Sequence, residues 1–268
     1  MDRLQDKVAL ITGGGGSIGA ATARLFAEEG AKVVLADVDE EGLALVTDEI
    51  GAEHAAYVVT DVTDSEQVAA AVRIATERFG GLDVAFANAG VFGEATPIVD
   101  YPEDVFDHVM AVNVKGSFLV AKHALAVMRD GGSLIFNSSV VGLLSDAGIA
   151  GYATSKHAIV GLMRTAAREV ADRGIRVNSL HPGPVDNGFQ HSIEVRATGL
   201  PGVPDREGSV VEHELDRLGL VRVEPDLGEG LQLLGRPNEP RRPRCDVALH
   251  HGAARAGAGV RHRHRHRQ

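Results

Sequence analysis

Hydrophobic residues over the first 180 positions alternate between short unbroken runs and stretches with a period near 3.6 residues. Short apolar runs are typical of buried strands, and the periodic stretches are typical of helices that pack one face on a core. The pattern predicts strands at 8–12, 32–37, 55–59, 82–87, 133–137 and 175–180. It predicts helices at 20–28, 40–50, 65–79, 104–129 and 152–171. This alternation predicts an α/β fold with one doubly wound parallel sheet and helices on both faces.

The pattern fails after about residue 200. Residues 202–230 show no sustained period, and the chain ends in the low-complexity run RHRHRHRQ. We therefore expect one folded domain over 1–200 and an atypical, poorly ordered C-terminal segment over 201–268.

Composition excludes several classes of protein. The 268 residues are 44% hydrophobic and 24% charged, unlike a disordered or collagenous chain. The single cysteine, Cys245, cannot form a disulfide within the chain, so nothing requires an oxidising compartment. The first apolar run is too short for a signal peptide, and no run approaches the roughly 18 apolar residues of a membrane span. We therefore expect a cytoplasmic protein without a membrane partner.

The formal net charge of −10 is unevenly distributed. Residues 236–268 contain nine arginines and only two acidic residues, so the rest of the chain is strongly acidic. An acidic body cannot neutralise phosphates, which argues against nucleic acid binding. The His/Arg tail could bind metal ions or polyanions, or it could be a disordered tail without function. The sequence predicts no metal site of fixed geometry.

A glycine-rich turn follows the first predicted strand. Residues 12–19 read TGGGGSIG and lead into the first predicted helix. Glycine allows a sharp turn and close approach to a pyrophosphate, and the helix N-terminus adds unpaired N–H groups. Surface loops also use glycine, but a place between strand and helix favours a dinucleotide site. The candidate cofactor-binding residues here are Gly13, Gly16, Ser17, Ile18 and Gly19.

Asp37 ends the second predicted strand, 18 residues after Gly19. A carboxylate there can accept hydrogen bonds from an adenosine ribose and would repel a 2′-phosphate. No Arg or Lys lies within 37–45 to offset that repulsion, so the sequence favours NAD over NADP. Asp61 and Val62, after the third strand, are candidates to flank the adenine. The alternative for both aspartates is a solvated side chain at a strand end.

Tyr152 and Lys156 lie four residues apart at the start of a predicted helix, so both side chains share one face. A phenol is a poor base at neutral pH, but a neighbouring ammonium favours the phenolate and can lower the phenol pKa. Tyrosine could then exchange a proton with a substrate hydroxyl. Taken alone, this spacing is also common in ordinary helices.

Several segments together resemble the short-chain dehydrogenase/reductase family over about residues 5–190. They are the turn 12–19, Asp61-Val62, Asn88-Ala89-Gly90, Asn113-Val114-Lys115-Gly116, Ser138-Ser139, the helix start 152–156 and Pro182-Gly183-Pro184-Val185. Their order and separations match those of the family. The resemblance implies a nicotinamide-dependent oxidoreductase on a single Rossmann-like domain.

The resemblance also implies a role for each matching residue. Tyr152 resembles the general acid/base, and Ser139 the donor that orients and polarises the substrate oxygen. Lys156 resembles the residue that binds the nicotinamide ribose and lowers the Tyr152 pKa, and Asn113 the one that holds a relay water. The remaining implied cofactor contacts are Asn88, Ala89, Gly90, Pro182, Gly183 and Val185. In isolation, such Asn-Ala-Gly and Pro-Gly segments are also ordinary turns.

The chain departs from the family pattern mainly at its C-terminus. Ser17 stands at a usual glycine position, and Asn187 at a usual threonine position. The substrate-covering helix, the last helix and the final strand are not recognisable. Fragments at 234–240 and 246–249 still resemble the family, which indicates a shifted reading frame over parts of 202–268.

Two functional hypotheses follow. The first is an NAD-dependent enzyme that interconverts a secondary alcohol and a ketone. Phe92, Leu143, Leu144 and Phe189 could line an apolar pocket, and ordinary core or lid packing is the alternative for these four side chains. The second is a non-catalytic dinucleotide-binding or assembly module whose altered C-terminus forms no substrate pocket. The resemblance also implies a homo-oligomer, a tetramer or dimer, where the C-terminus permits it.

Overall fold

Six parallel strands form one sheet in the part of the chain that the structure describes. This computed structural model describes residues 3–185. The strands are β1 Val8–Thr12, β2 Lys32–Asp37, β3 Ala55–Val59, β4 Leu82–Ala87, β5 Met128–Asn137 and β6 Arg176–Leu180. Their order across the sheet is β3-β2-β1-β4-β5-β6, and all neighbouring strands are parallel.

Six α-helices connect these strands within the same residues. They are α1 Ser17–Glu28, α2 Glu40–Ile50, α3 Ser65–Phe79, α4 Glu103–Val109, α5 Ser117–Val127 and α6 Ala150–Glu169. Helix ends follow local chemistry. The Asp39 carboxylate accepts the Gly42 N–H at the start of α2, and Asp64 accepts two N–H groups at the start of α3. Gly80 ends α3 in the left-handed conformation, with φ of +81°.

Helices cover both faces of the sheet. Val8 and Leu10 of β1 pack in the core that includes α3, α5 and α6. Ala9 and Ile11 point the opposite way, toward α1 and α2. Because β1 is buried on both sides, every residue in it is apolar except the last, Thr12. The predicted doubly wound parallel sheet is confirmed.

The long helix predicted at 104–129 is wrong in two respects. A π-helix, Met110–Gly116, separates α4 from α5. Met128 and Arg129, predicted to be helical, belong to β5, where Met128 pairs with Leu82 of β4. Pairing with the neighbouring strand outweighs the helical preference of these two residues.

Two negative findings apply to residues 3–185. No helix among them is long and apolar enough to cross a membrane. No group of three or more His, Cys, Asp or Glu side chains among them could hold a metal ion. The expectations for Phe189, Asn187 and the segment 201–268, including the shifted reading frame, lie outside the described residues.

A buried carboxylate joins the amino ends of β1 and β4. Asp83 is 6% exposed. Its Oδ2 accepts the Val8 N–H at 3.0 Å and Nη1 of Arg129 at 2.8 Å. The Lys7 ammonium lies 3.6 Å from Oδ1. Two hydrogen-bond donors and one ion pair thus replace the water that this carboxylate loses on folding.

Replacing Asp83 by alanine tests this contact. We expect Asp83→Ala to lower the free energy of unfolding by about 2–3 kcal/mol, because a buried N–H and a guanidinium lose a charged acceptor. Urea denaturation measures the change. The matched control is Glu49→Ala, which breaks an ion pair with Arg24 whose side chains are 45% and 41% exposed. That pair should contribute at most about 1 kcal/mol. Equal losses in the two variants would contradict a special role for Asp83.

Candidate active site

The carboxyl ends of β1, β4 and β5 meet where the strand order reverses. β1 lies between β2 and β4. From β1 the chain adds β2 and β3 on one side, and it then returns to add β4, β5 and β6 on the other side. In doubly wound sheets this arrangement opens a crevice that binds ligands. The glycine-rich turn follows β1, Asn88 follows β4, and Ser139 follows β5. Three of the predicted site segments therefore border one crevice.

Close packing requires glycine at two positions of the turn. Gly13 has φ of +67°, and a Cβ there would lie 2.7 Å from the Asn88 amide nitrogen. A Cβ on Gly19 would overlap the Gly13 carbonyl. α1 begins at Ser17, and Gly16 in the cap position has no side chain to bond its first turn. The first N–H groups of α1 therefore remain available to an anion.

Asp37 closes the turn on the β2 side. Its Oδ2 accepts the Gly15 N–H at 3.0 Å, and its Oδ1 accepts the Val38 N–H at 2.7 Å. These contacts fix the carboxylate at the end of β2, next to the glycine-rich turn. The structure therefore brings together Asp37 and the turn, as the spacing predicted.

Asp61 and Val62 have structural contacts of their own. The Asp61 carboxylate accepts both the N–H and the hydroxyl of Thr63, each at 2.8 Å, which shapes the loop before α3. Val62 is buried in the core. Gly116 passes so close to Val62 that a Cβ on the glycine would lie 2.8 Å from it. Contact of this pair with an adenine stays a prediction.

Asn88 connects β1, β4 and β5. Its Nδ2 donates to the Thr12 carbonyl at 3.0 Å and to the Gly13 carbonyl at 3.2 Å. Its Oδ1 accepts Nδ2 of Asn137 at 2.8 Å. The N–H groups of Asn88 and Ala89 both donate to the Thr12 hydroxyl. Because carbonyls only accept hydrogen bonds, these contacts fix the orientation of the Asn88 amide.

The π-helix places Asn113 beneath the loop that follows β4. Asn113 is fully buried, accepts the Val91 N–H at 2.8 Å and donates to the Val91 carbonyl at 2.9 Å. Its other amide proton goes to the Ser155 hydroxyl at 2.9 Å, which itself donates to the Tyr152 carbonyl. Sequence reasoning missed Ser155, although its place inside the motif 152–156 was an available signal.

Ser139, Tyr152 and Lys156 come together at the start of α6. The Ser139 hydroxyl hydrogen-bonds the Tyr152 phenol. Nζ of Lys156 lies 5.3 Å from the centre of the Tyr152 ring and donates to the Asn137 carbonyl at 2.8 Å. The Phe92 ring also packs on Tyr152, with ring centres 5.2 Å apart. The structure therefore assembles the three side chains that the resemblance brought together.

Burial changes the acidity of both ionisable groups. It raises the pKa of Tyr152, and the hydrogen bond from Ser139 opposes that change. It lowers the pKa of Lys156 to about 8. The expectation that Lys156 lowers the Tyr152 pKa is thus not met, because loss of water around the phenol is the larger effect. The opposing contribution comes from Ser139.

Of the described residues after β6, the first two lie against the segment that carries Ser139. The Val140 N–H donates to the Pro182 carbonyl at 3.0 Å. Gly183 is exposed and has open space around it, and Val185 is 39% exposed. Contact of these residues with a nicotinamide stays a prediction.

The chain matches the family model described as short chain dehydrogenase over residues 7–197. Momilactone A synthase from Oryza sativa subsp. japonica is 46% identical over 186 residues, which cover 68% of each chain. Levodione reductase from Leifsonia aquatica is 42% identical over 189 residues, covering 68% of this chain and 71% of that protein.

Two solved structures carry bound cofactor. A 3-ketoacyl-(acyl-carrier-protein) reductase from Brucella melitensis complexed with NADH has a TM-score of 0.67 at 31% identity, covering 70% of this chain and 79% of that one. A short chain dehydrogenase from Burkholderia cenocepacia J2315 in complex with NADP has a TM-score of 0.66 at 36% identity, covering 70% and 78%. With sequence, fold and site in agreement, the chain belongs to the short chain dehydrogenase family of nicotinamide-dependent oxidoreductases.

Proposed function

We propose that the chain is an NAD-dependent enzyme that interconverts a secondary alcohol and a ketone, with Tyr152 as general acid/base. The observation that carries this proposal is the Ser139–Tyr152 hydrogen bond beside a buried Lys156 ammonium. Relatives named as a reductase of levodione and a dehydrogenase of secoisolariciresinol support a reaction of this kind.

The residues present fit a dinucleotide. The free N–H groups of α1 suit a pyrophosphate, and the turn before them can pack in this way only with glycine at positions 13 and 19. We assign the pyrophosphate to Gly13, Gly16, Ser17, Ile18 and Gly19, the adenosine to Asp37, Asp61 and Val62, and the nicotinamide half to Asn88, Ala89, Gly90, Tyr152, Lys156, Pro182, Gly183 and Val185. When bound, the nicotinamide supplies hydride exchange with the substrate carbon.

Ser139 and Tyr152 handle the proton at the substrate oxygen. Ser139 orients that oxygen by hydrogen bonding, and the Tyr152 phenol gives or takes the proton. Because the pKa of Tyr152 is raised, the phenol is protonated at neutral pH and ready to donate it during ketone reduction. Alcohol oxidation needs the phenolate, which the hydrogen bond from Ser139 stabilises. Asn113 holds the Val91 loop and Ser155 in place around this pair.

The surroundings of Asp37 support NAD as the cofactor. Three backbone N–H groups, those of Gly15, Val38 and Asp39, hold this carboxylate, so it cannot easily turn away from a ribose. Glu40 and Glu41 in the first turn of α2 add further negative charge nearby. A 2′-phosphate would meet this charge, and residues 37–45 contain no Arg or Lys to offset it.

Apolar side chains near Tyr152 support an apolar substrate. Phe92 packs on the Tyr152 ring. Leu143 and Leu144 are 54% and 52% exposed on the segment between Ser139 and α6. Exposed leucines four and five residues after Ser139 offer an apolar substrate a surface to bury.

Thermal unfolding with each cofactor tests the preference. At a hundredfold excess over its Kd, NAD should stabilise the chain by about 2.7 kcal/mol and raise the melting temperature, whereas NADP should raise it little. Asp37→Ser should reduce the difference between the rises in melting temperature that NAD and NADP cause. Glu40→Gln, which also removes one negative charge but leaves the Asp37 carboxylate in place, is the control. An equal response of the wild type to both cofactors would contradict the role of Asp37.

Tyr152→Phe tests the proposed chemistry. The variant should lose about 10²-fold or more in turnover, because the proton donor is gone, and should keep its affinity for NAD within about twofold. Absorbance of NADH reports turnover with cyclohexanol, 1-phenylethanol and 2-octanol, and with the matching ketones in reverse. Tyr101→Phe, which removes a phenol that accepts the Glu94 N–H, is the control. NAD binding without turnover of any of these compounds by the wild type would favour the non-catalytic module.

Lys156 should give the stability of the chain a distinct pH dependence. Its pKa is about 8 in the folded chain, so the unfolded chain binds the proton more tightly. The wild type should therefore gain stability relative to Lys156→Met as the pH rises from 8 to the ordinary lysine value, by up to roughly 3 kcal/mol. Below pH 8 the difference should be constant.

Urea denaturation between pH 7 and 10 measures this difference. Lys122→Met, on the exposed face of α5, controls for the loss of one positive charge. Loss of wild-type stability relative to Lys156→Met over the same window would contradict the lowered pKa.

A further inference from the structure

His181 lies directly behind Ser139. It follows β6, and its ring is half-buried. Nδ1 lies 2.9 Å from the Ser139 carbonyl oxygen, and Nε2 lies 2.9 Å from the Ser179 hydroxyl oxygen. The family segment 182–185 begins one residue later, so the motif itself gives His181 no role.

Chemistry fixes which ring nitrogen carries the proton. A carbonyl oxygen only accepts hydrogen bonds, so Nδ1 of His181 is the donor to Ser139. In the neutral ring Nε2 is then an acceptor, and the Ser179 hydroxyl donates to it. In the protonated ring Nε2–H donates to the same hydroxyl oxygen. The bond to Ser139 is kept in both charge states.

The main chain supplies one donor to the Ser139 carbonyl from within its own turn, since the Gly142 N–H donates to this oxygen at 2.8 Å. β5 and β6 continue to pair beyond their ends, with the Ser138 N–H on the Leu180 carbonyl at 2.9 Å and the Val140 N–H on the Pro182 carbonyl at 3.0 Å. The imidazole adds a second donor to the Ser139 carbonyl and ties it to the segment that follows β6.

These contacts determine where the Ser139 hydroxyl points. The Ser139 backbone is extended, with φ of −170° and ψ of 164°, and its Oγ accepts the Val141 N–H at 3.3 Å. The same hydroxyl reaches Tyr152. Turning the peptide after Ser139 would break the bond to His181 and would move the hydroxyl away from Tyr152.

We infer that His181 is a positioning residue, whose Nδ1–H holds the Ser139 carbonyl and thereby sets the Ser139 hydroxyl against the reacting oxygen. This inference rests on the proposed function, in which Ser139 orients the substrate. His181 itself does not touch the substrate.

Three substitutions of His181 separate the effect of its Nδ1–H donor from the effect of the bulk of its ring. His181→Asn keeps an N–H donor at the place of Nδ1, His181→Gln places its amide farther out toward Ser179, and His181→Leu keeps bulk without a donor. We expect kcat to fall about tenfold in the Leu and Gln variants, as for loss of one hydrogen bond, and to return to within about threefold in the Asn variant. KM for NAD should stay within about twofold in all three. Ser179→Ala, which keeps the Nδ1 donor, is the matched control and should retain kcat.

A second measurement does not need turnover. Nitrogen NMR of the labelled imidazole should show Nδ1 protonated, and hydrogen exchange at the Val140 and Val141 amides should be about tenfold faster in His181→Leu than in the wild type. His181→Asn should restore slow exchange. Unchanged exchange in the Leu variant, or equal kcat in the Asn and Gln variants, would overturn the inference. If the wild type turns over none of the three alcohols, the proposed function fails, and the exchange rates still decide whether His181 holds Ser139.

Discussion

The side-chain amide of Asn88 is the contact on which the site depends. Its oxygen accepts a hydrogen bond from the Asn137 amide of β5, and its nitrogen donates to the carbonyls of Thr12 and Gly13 at the end of β1. The Asn137 carbonyl in turn accepts a hydrogen bond from the Lys156 ammonium. One chain of hydrogen bonds therefore runs from the glycine-rich turn to α6. Because buried polar groups are costly when unpaired, this chain permits a single alignment of the strand ends.

One atom in that chain is left without a partner. The Asn88 amide is oriented by two carbonyls, which directs Nδ2 of Asn137 toward it and turns Oδ1 of Asn137 elsewhere. Among the described residues that buried Oδ1 finds no hydrogen bond. Burial acts similarly on the ionisable pair next to it, since it opposes the charged forms of both Tyr152 and Lys156. The site keeps polar groups in dry surroundings and is less stable than an apolar core of the same size would be.

Local signals were sufficient for much of the fold. β1 to β4, α2 and α3 have the predicted bounds, because short, mostly apolar runs mark the strands, and Asp39, Asp64 and Gly80 mark ends of the two helices. The start of β5 was missed because Met128 and Arg129 favour helices and become extended only by pairing with β4. That pairing depends on residues more than 40 positions away, which no window along the chain includes.

Site residues could be predicted only where the local sequence by itself requires a particular residue type at a particular position. The glycines of the turn and the Tyr152–Lys156 spacing are such cases. Ser155 and His181 are not, because a serine in a helix or a histidine after a strand fits many environments equally well. Their contacts with Asn113 and Ser139 exist only after α6 and β6 have packed. The acidity of Tyr152 likewise depends on the water that folding removes, which spacing alone cannot indicate.

The π-helix at Met110–Gly116 limits how the gene can vary. Its wider turn accommodates one more residue than an α-helix would and turns the Asn113 amide toward Val91. Deleting one codon here would restore a regular helix and leave the buried face of α5 in place, because the wider turn absorbs that extra residue, but the Asn113 amide would no longer be turned toward Val91. The length of this segment is therefore set by the direction that the Asn113 amide must keep.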